Sequence, residues 1–307
     1  MNDKLGLRVL PSSPSEVDFT WYELVRHELL TRVMGQAGRV LDVGCGNGRA
    51  LIALSRLFGQ GMGIDISEDA LREAESARLS EGIGNIEFTR VDVLGLPFAS
   101  ESFDVVLCLG DVLCYSELYG RHADAVEQMK RVLKPGGLIV HESMNWEWEY
   151  RQCPSWTCFT RETGGAFCFH RTSRLPSGRE TSRDHEVVPK TPLHDWVSRQ
   201  DWPISPQGFD TSINVAEDTP LPREWLRPLG VRCYRHHTAA SLRRLYAVAG
   251  FRNISVVPYG GACDMVELAG LAEELKPLQS RLAAAEADIA CRLKSGSGPW
   301  LFLDARK

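Results

Sequence analysis

The stretch VLDVGCGNG, residues 40–48, places an aspartate and regularly spaced glycines after a short apolar run. A glycine-rich turn between a strand and a helix brings backbone N–H groups close to a ligand at the helix N-terminus. The dinucleotide spacing G-x-G-x-x-G/A fails, because Arg49 or Leu51 occupies its last position in the two possible alignments. The sequence also has no G-x-x-x-x-G-K-[ST] pattern. These residues therefore predict a ligand site of another kind.

Asp42 indicates the charge of that ligand. Its carboxylate stands immediately before the turn and would repel a pyrophosphate, since like charges at short distance are unfavourable. A ligand that is cationic at this point would be attracted instead. The turn and Asp42 together predict a positively charged ligand that has no phosphate.

A second group of candidate residues could act as a general base. Side chains at the carboxyl ends of strands form the ligand-binding edge of an open α/β sheet. His141 and Glu142 end the fifth apolar run, and alternation lets only one of them face the site; we favour Glu142. Tyr115 is a further candidate at this edge. His236 is another, although hydrogen bonding or helix capping by His236 and His237 is an equal alternative.

Tryptophan is concentrated in one segment. Residues 143–235 contain six of the eight tryptophans: Trp146, Trp148, Trp156, Trp196, Trp202 and Trp225. An aromatic wall could stack on a flat substrate or face a cation, but a loop-rich segment also needs bulky anchors for its own packing. We favour anchoring for the group as a whole. Trp146 and Trp148 leave the end of the fifth strand, so we expect these two to line the substrate pocket.

The cysteines do not indicate a metal site. The chain has nine cysteines, an odd number, and none forms a C-x-x-C pair. Cys153, Cys158, Cys168 and His170 invite a zinc interpretation, but their spacing fits no standard structural site, so we expect no bound metal. The N-terminus lacks the apolar stretch of a secretory signal, which favours reduced thiols and a cytoplasmic location.

The elements that would hold these residues alternate between strand and helix. The apolar runs RVLDVG, GMGIDI, NIEFTRVDV, FDVVLCLG and LIVHES predict five strands. Helices are predicted over residues 47–58, over residues 68–79 with Ser67 as the N-cap, and over HADAVEQMKRVL before Pro135 and Gly136. This rhythm predicts right-handed βαβ units in a doubly wound, mostly parallel seven-stranded sheet.

After Glu142 the rhythm stops for about ninety residues and resumes at TAASLRRLYAVAGF. We expect residues 39–142 and 236–307 to form one core and residues 143–235 to form an inserted lid between strand five and the next helix. Within the lid, Gly164 and Gly165 predict a hairpin, whereas the prolines between residues 189 and 228 favour an irregular segment. We expect residues 1–38 to form an N-terminal cap region, whose helix could close over the ligand with Trp21 or Tyr22 or pack into the core.

The motif LDVGCGNG closely resembles the first motif of class I S-adenosylmethionine (SAM)-dependent methyltransferases. The resemblance continues, in order, through GIDIS, RVDVLGLPF, FDVVLCLGDVLCY and LKPGGLIV, and covers residues 39–142 and, more loosely, 238–307. It implies that Asp42 orients the SAM ammonium, that Asp65 binds the ribose hydroxyls, and that Asp92 approaches the adenine amino group. The implied SAM site comprises Tyr22, Asp42, Gly44, Cys45, Gly46, Gly48, Asp65, Ile66, Asp92, Val93 and Leu109.

A narrower resemblance concerns the methyl acceptor. CLGDVLCYS and LKPGGLIVHESMNWEWEY resemble the glycine- and sarcosine-type N-methyltransferases, in which an Asn past strand five holds the amino-acid substrate. This implies a role for Asn145 in substrate binding and catalysis, with Trp146 at the aromatic position. No arginine of the lid aligns with the carboxylate-binding arginine of that group. The expected activity is therefore methylation of a small metabolite at an amine nitrogen, with an O- or C-methyltransferase of aromatic or polyketide-like products as the alternative.

Composition limits the kinds of substrate and partner that the protein is expected to bind. The chain has 307 residues, a net charge of −5 and a hydrophobic content of 43%. Its acidic balance and the absence of an Asn/Asp-Pro-Pro-aromatic motif after strand four argue against nucleic-acid methylation. No apolar run approaches the length of a membrane span. We therefore expect a small-molecule substrate, no membrane partner and a possible homo-oligomer; a non-catalytic SAM-binding protein and a dehydrogenase remain the alternatives from other classes.

Overall fold

The structure is a computed structural model. It describes residues 21–114, 121–145, 157–163, 166–174, 180–189, 204–205, 208–209, 212–216, 232–262 and 275–307. For the described residues between 157 and 236 only the backbone is described, and the same holds for Trp21.

Seven strands form the main sheet. They are β1 (Ala37–Val43), β2 (Phe58–Asp65), β3 (Ile86–Arg90), β4 (Phe103–Cys108), β5 (Leu133–Met144), β13 (Arg252–Tyr259) and β14 (Trp300–Arg306). Their order is β13-β14-β5-β4-β1-β2-β3. The pairs from β5 to β3 are parallel, whereas β14 runs antiparallel to both β5 and β13. The doubly wound, mostly parallel seven-stranded sheet predicted from the sequence is confirmed.

Helices cover both faces of this sheet. They are α1 (Trp21–Met34), α2 (Arg49–Leu54), α3 (Glu68–Ser80), α4 (His122–Val132), α5 (Ala239–Val248) and α6 (Gln279–Leu293). Alternating side chains divide the core: Val40 packs with α1, α2 and α6, whereas Leu41 packs with α4 and α5. The point where strand order reverses lies between β1 and β4, and their carboxyl ends therefore form the expected ligand crevice.

Several element ends differ from the sequence-based expectation. Helix α2 ends at Leu54 because residues 55–57 tighten into a 3₁₀ turn that leads into β2. Strand β3 ends at Arg90, since the side chain of Asp92 accepts a hydrogen bond from the N–H of Leu94 and starts a 3₁₀ turn. The predicted N-cap of α3 is confirmed: Ser67 Oγ accepts from the N–H of Ala70 at 3.3 Å.

A second sheet lies in the segment predicted as the lid. Its strands, in spatial order, are β12 (Arg232–His236), β11 (Ser212–Ala216), β6 (Thr157–Thr163), β7 (Ala166–Arg174) and β8 (Glu180–Pro189); β9 (Ile204–Ser205) and β10 (Gly208–Phe209) pair separately. Strands β6 and β7 are antiparallel on either side of Gly164 and Gly165, as expected for a hairpin. The expectation of an irregular stretch from residue 189 to 228 is wrong at β11, whose backbone pairs with both β6 and β12.

One bridge joins the end of this segment to the main sheet. Asn145, just past β5, pairs with His237, just past β12. None of the helices in the described part of the chain has the length and apolarity that a membrane span requires.

Candidate functional site

The turn after β1 is tied to the next strand. The N–H groups of Gly44 and Cys45 both donate to the carbonyl of Ile64, at 2.8 and 2.9 Å. The N–H of Gly46 donates to Oδ2 of Asp65 at 2.9 Å. The turn therefore holds the carboxylate at the end of β2 in a fixed position beside its own backbone.

The glycines of this turn have two different functions. All of Gly44, Gly46 and Gly48 have positive φ, at 71°, 53° and 76°. A Cβ at Gly44 would lie 2.3 Å from the side chain of Val112, and one at Gly48 would lie 2.5 Å from Phe88, so these two positions are needed for packing. A Cβ at Gly46 would meet nothing within 4 Å. Gly46 is thus the position where the backbone faces open space that a ligand could fill.

Asp65 retains capacity for a ligand. Its Oδ2 accepts from Gly46 and its Oδ1 accepts from the N–H of Ser67 at 2.9 Å. A carboxylate oxygen can accept two hydrogen bonds, so each oxygen has one further acceptor position, a pattern that suits two neighbouring hydroxyl groups. Ile66 is 61% exposed beside it, and such an apolar side chain at the cleft suits the face of a flat ring.

Asp42 places a buried carboxyl group immediately before the glycine turn. It is 2% exposed, and its Oδ1 has no hydrogen-bond partner among the described residues. Burial raises the pKa of this carboxyl to about 7, with Arg26 opposing the rise and Asp65 and Glu142 adding to it. A buried carboxylate oxygen without a donor is unfavourable, and a cationic donor brought by a ligand would remove that penalty.

The predicted adenine-side residues are placed as follows. Asp92 is exposed, and its Oδ1 caps the 3₁₀ turn through Leu94 N at 2.9 Å. Val93 and Leu109 are buried at 7% and 6% exposure, and both pack into the apolar core. The structure thus gives these three residues local structural contacts, and their cofactor role stays a prediction.

The N-terminal helix presents Tyr22 toward the core. A Cβ built on Gly260 would lie 2.6 Å from the ring of Tyr22, so this ring lies directly against the backbone of that glycine. Tyr22 also packs against the cluster of α1, α2 and α6. Core packing, one of the two alternatives left open by the sequence, is what the described contacts show for Tyr22.

The Glu142 carboxylate accepts hydrogen bonds from three neighbouring donors. Its Oε2 accepts from the N–H of Gly110 at 2.7 Å and from Nη1 of Arg26 at 3.1 Å. Its Oε1 accepts from the hydroxyl of Tyr259. The residue is 1% exposed. An arginine and two further donors thus hold this carboxylate in place, and its role as a general base stays a prediction.

His141 points to the opposite face of β5, as alternation requires. Its Nδ1 lies 3.0 Å from the hydroxyl of Tyr246 on α5, and the ring is fully buried. Burial lowers the pKa of His141 to about 3, assisted by His237 and His122. The imidazole is therefore neutral. His237 is buried nearby with Nδ1 at 3.3 Å from Ser241 Oγ, a contact that supports the N-terminus of α5.

Asn145 is anchored to the loop before β14. Its Nδ2 donates to the carbonyl of Gly298 at 2.9 Å, and its backbone N–H donates to the carbonyl of Pro299 at 2.6 Å. Asn145 is 5% exposed. These contacts fix the end of β5 against the C-terminal part of the sheet.

We expect Asn145→Ala to lower stability and leave cofactor affinity unchanged. The carbonyl of the buried Gly298 would lose its donor, which costs about 1–3 kcal/mol. Chemical denaturation measures this loss. Asn85→Ala is the matched control for the loss of an asparagine that donates to backbone carbonyls, because Asn85 Nδ2 donates to the carbonyls of Ser55 and Phe58. A variant of Asn145 with native stability and reduced turnover would instead support the substrate role inferred from the resemblance.

Several predicted residues lie outside the described side chains. Tyr115, Trp146, Trp148 and Cys153 lie outside the described residues altogether, as do the other four tryptophans of the lid, Trp156, Trp196, Trp202 and Trp225. His236 ends β12 and Cys158, Cys168 and His170 lie in β6 and β7, with backbone alone described. Within the described part of the chain, no three His, Cys, Asp or Glu residues are arranged to hold a metal ion.

Three site residues were not predicted from the sequence. Arg26 shares the face of α1 that carries Tyr22 and Leu29, and a charged residue on an otherwise apolar face was the available signal. Tyr259 ends β13 and is 1% exposed. Asp111 has a φ of 63°, and its Oδ1 accepts from Ser143 Oγ at 2.9 Å and Met144 N at 3.1 Å. Left-handed backbone outside glycine is uncommon and often found at functional sites.

Comparison with known proteins shows what this arrangement resembles. Residues 35–185 match the family model described as a methyltransferase domain. Demethylmenaquinone methyltransferase of Geobacillus kaustophilus is 32% identical over 133 residues, which are 41% of this chain and 54% of that protein. Fatty-acid O-methyltransferase of Mycolicibacterium smegmatis is 32% identical over 117 residues, 38% of this chain and 40% of that protein. The chain thus spans about half or less of the length of these relatives.

A solved structure that matches over most of the chain shows the fold. It is a SAM-dependent methyltransferase from Mesorhizobium loti, with a TM-score of 0.50, 18% identity and coverage of 94% of this chain and 99% of that one. At this level of identity the likeness shows the fold alone. The seven-stranded sheet with its antiparallel β14 is accordingly the Rossmann-like methyltransferase fold.

Proposed function

We propose that the chain is a class I SAM-dependent methyltransferase that transfers the methyl group of SAM to a small molecule. The match of residues 35–185 to a methyltransferase domain and the Rossmann-like methyltransferase fold support this proposal. The single observation that carries this proposal is Asp42. A buried carboxylate with an unpartnered oxygen, set beside a glycine turn, suits a ligand that is cationic and free of phosphate.

The residues present fit SAM. Asp42 would hold its ammonium group, and the two available acceptor positions of Asp65 would hold the ribose hydroxyls. The open space at Gly46 allows close approach to the backbone, and Ile66 offers an exposed apolar surface to the adenine ring. A pyrophosphate would meet both carboxylates, which disfavours a dinucleotide.

When bound, SAM supplies an electrophilic methyl group attached to a sulfonium sulfur. The residues of this chain contribute mainly orientation, which can account for a large part of the rate of such a transfer. The carboxyl ends of β4 and β5 meet beside the glycine turn, so Asp111, Ser143 and Met144 lie where an acceptor would approach. The second sheet would exclude water over this edge as a lid.

The acceptor is proposed as an amine nitrogen of a small metabolite, with oxygen or carbon as the second candidate. The amine assignment depends on the resemblance that placed Asn145 on the substrate. The side-chain amide nitrogen of Asn145 donates to the carbonyl of Gly298. This contact weakens the support for an amine acceptor and favours keeping oxygen or carbon as the alternative acceptor atom. The matched relatives include proteins named for quinone and fatty-acid methylation, so the domain serves chemically different acceptors. We also propose that the protein is cytoplasmic, can form a homo-oligomer and has no nucleic-acid partner.

Calorimetric titration with SAM, its demethylated product and NAD tests the proposed cofactor. We expect binding of the first two and none of NAD. Incubation with methyl-labelled SAM and pools of amines, phenols and carboxylic acids, followed by mass spectrometry, then identifies the atom that is methylated. Binding of SAM without any labelled product across the pools would favour the non-catalytic alternative. Binding of NAD alone would overturn the proposal.

A further inference from the structure

Glu142 connects three parts of the fold at the cofactor edge. Its side chain accepts from Arg26 on α1, from Gly110 in the turn after β4 and from Tyr259 on β13. Its backbone carbonyl also accepts from the N–H of Asp111 at 3.3 Å. One residue thus bonds to both amides of the turn after β4 and to a side chain of the N-terminal helix.

Arg26 extends this connection to the other side of the cleft. Its Nη2 lies 3.6 Å from Oε1 of Glu23, and Oε2 of Glu23 accepts from Arg49 at 2.9 Å. Arg49 begins α2 immediately after Gly48 of the glycine turn. Burial lowers the pKa of Arg26, but the charges of Glu142, Tyr259 and Glu23 and the hydrogen bond to Glu142 together outweigh burial and raise the pKa above its usual value. Arg26 is therefore a permanent cation here. Helix α1 is therefore ion-paired to both walls of the cleft.

The turn after β4 needs such support. Gly110 and Asp111 have φ values of 72° and 63°. Glycine adopts this region readily, but a non-glycine residue such as Asp111 persists there only where surrounding bonds determine the conformation. The amides of these two residues donate to Glu142, while the Asp111 carboxylate accepts from Ser143 and Met144. The bonds to Glu142 are the ones that also lead to α1.

We propose that Glu142 is a positioning residue which, through its ion pair with Arg26, makes the seating of helix α1 set the conformation of the turn after β4. Binding of the cofactor at the glycine turn, to which α1 is linked through Glu23 and Arg49, then orders the turn that faces the methyl acceptor. The cofactor part of this statement rests on the proposed function. The link between α1 and the turn does not, because it is a property of the protein without ligand.

Hydrogen exchange on the ligand-free protein tests the link. We expect Arg26→Met to speed exchange in peptides covering residues 21–34 and 104–114 together, by about tenfold or more, since it leaves a buried carboxylate without its cation. The matched control is Arg32→Met, on the same helix, whose ion pair with Asp288 joins α1 to α6. This control should affect residues 21–34 and leave residues 104–114 unchanged. Equal exchange of residues 104–114 in both variants would overturn the proposal.

Glu142→Gln distinguishes positioning from proton transfer. If Glu142 is a positioning residue, the Glu142→Gln variant should reproduce the exchange pattern of Arg26→Met and should bind SAM more weakly in calorimetry. The double variant Arg26→Met/Glu142→Gln should be no more affected than either single variant, and it removes both charges, so it keeps the test available if one single variant fails to fold. Additive effects, or lost turnover with native exchange and native SAM affinity, would overturn the proposal. Absence of SAM binding in the wild type would overturn the proposed function but not the exchange result.

Discussion

Asp65→Ala should weaken SAM binding by about 100-fold, because two charge-assisted hydrogen bonds to the ribose, each worth about 1.5 kcal/mol, would be lost. The same change removes the acceptor for the N–H groups of Gly46 and Ser67, so the glycine turn also loses its attachment to β2. Calorimetric titration with SAM and with its demethylated product measures the effect, which should be of similar size for both ligands.

The matched control for this variant is Asp69→Ala. Asp69 lies on α3 with its side chain 81% exposed and pairs with Arg72 on the same helix. It lies close to Asp65 in sequence and has the same charge, so it controls for the general loss of a negative charge. Native affinity is expected. An Asp65→Ala protein that binds SAM like this control would contradict the placement of the ribose.

Asp42→Asn should have opposite effects on binding and stability. A carboxylate whose pKa rises from 3.8 to about 7 on folding binds a proton more tightly in the folded state, so its contribution to stability falls as pH rises from 4 to 7. Above pH 7 this loss amounts to as much as about 4 kcal/mol, and the neutral amide avoids it in part. The variant should therefore unfold at higher denaturant concentration at pH 8, while its SAM affinity falls about 30-fold or more.

The pH dependence provides the sharper test of Asp42. A cationic ligand favours the ionised carboxylate, so wild-type SAM affinity should rise with pH and level off above about pH 7. The Asp42→Asn variant should lack this rise. Calorimetry in buffers of different ionisation enthalpy should also detect a proton released on binding at pH 6.5 by the wild type alone. A flat wild-type profile between pH 6 and 8 would contradict the pairing of Asp42 with the ammonium group.

The backbone of the site could be predicted because it depends on local sequence. The apolar runs predict the strands, and the glycine spacing predicts the left-handed turn. Together they place Gly46 and Asp65 at one edge of the sheet, where the structure has the hydrogen bond between them. Alternation also predicts correctly that His141 and Glu142 point to opposite faces of β5. In the structure His141 contacts Tyr246 and Glu142 contacts Arg26.

The partners of these residues could not be predicted, because they come from distant parts of the chain. Position along β5 alone favours Glu142 as a base, and only the fold shows that Arg26 and Tyr259, each more than 100 residues away, bond to it. Asn145 was likewise assigned by resemblance, whereas its partner Gly298 is 153 residues away. A motif specifies which residue stands at an edge; tertiary packing decides whether its polar atoms are available.

Strand β14 follows both of its partners in the chain: it pairs with β5 on one side and with β13 on the other. While the ribosome is still making residues before 300, both neighbours have unpaired main-chain groups, and such edges readily recruit strands from other molecules. Nascent chains of this protein therefore pass through an aggregation-prone stage that ends only when residues 300–306 emerge, and shortened products that lack them would be expected to accumulate as insoluble material.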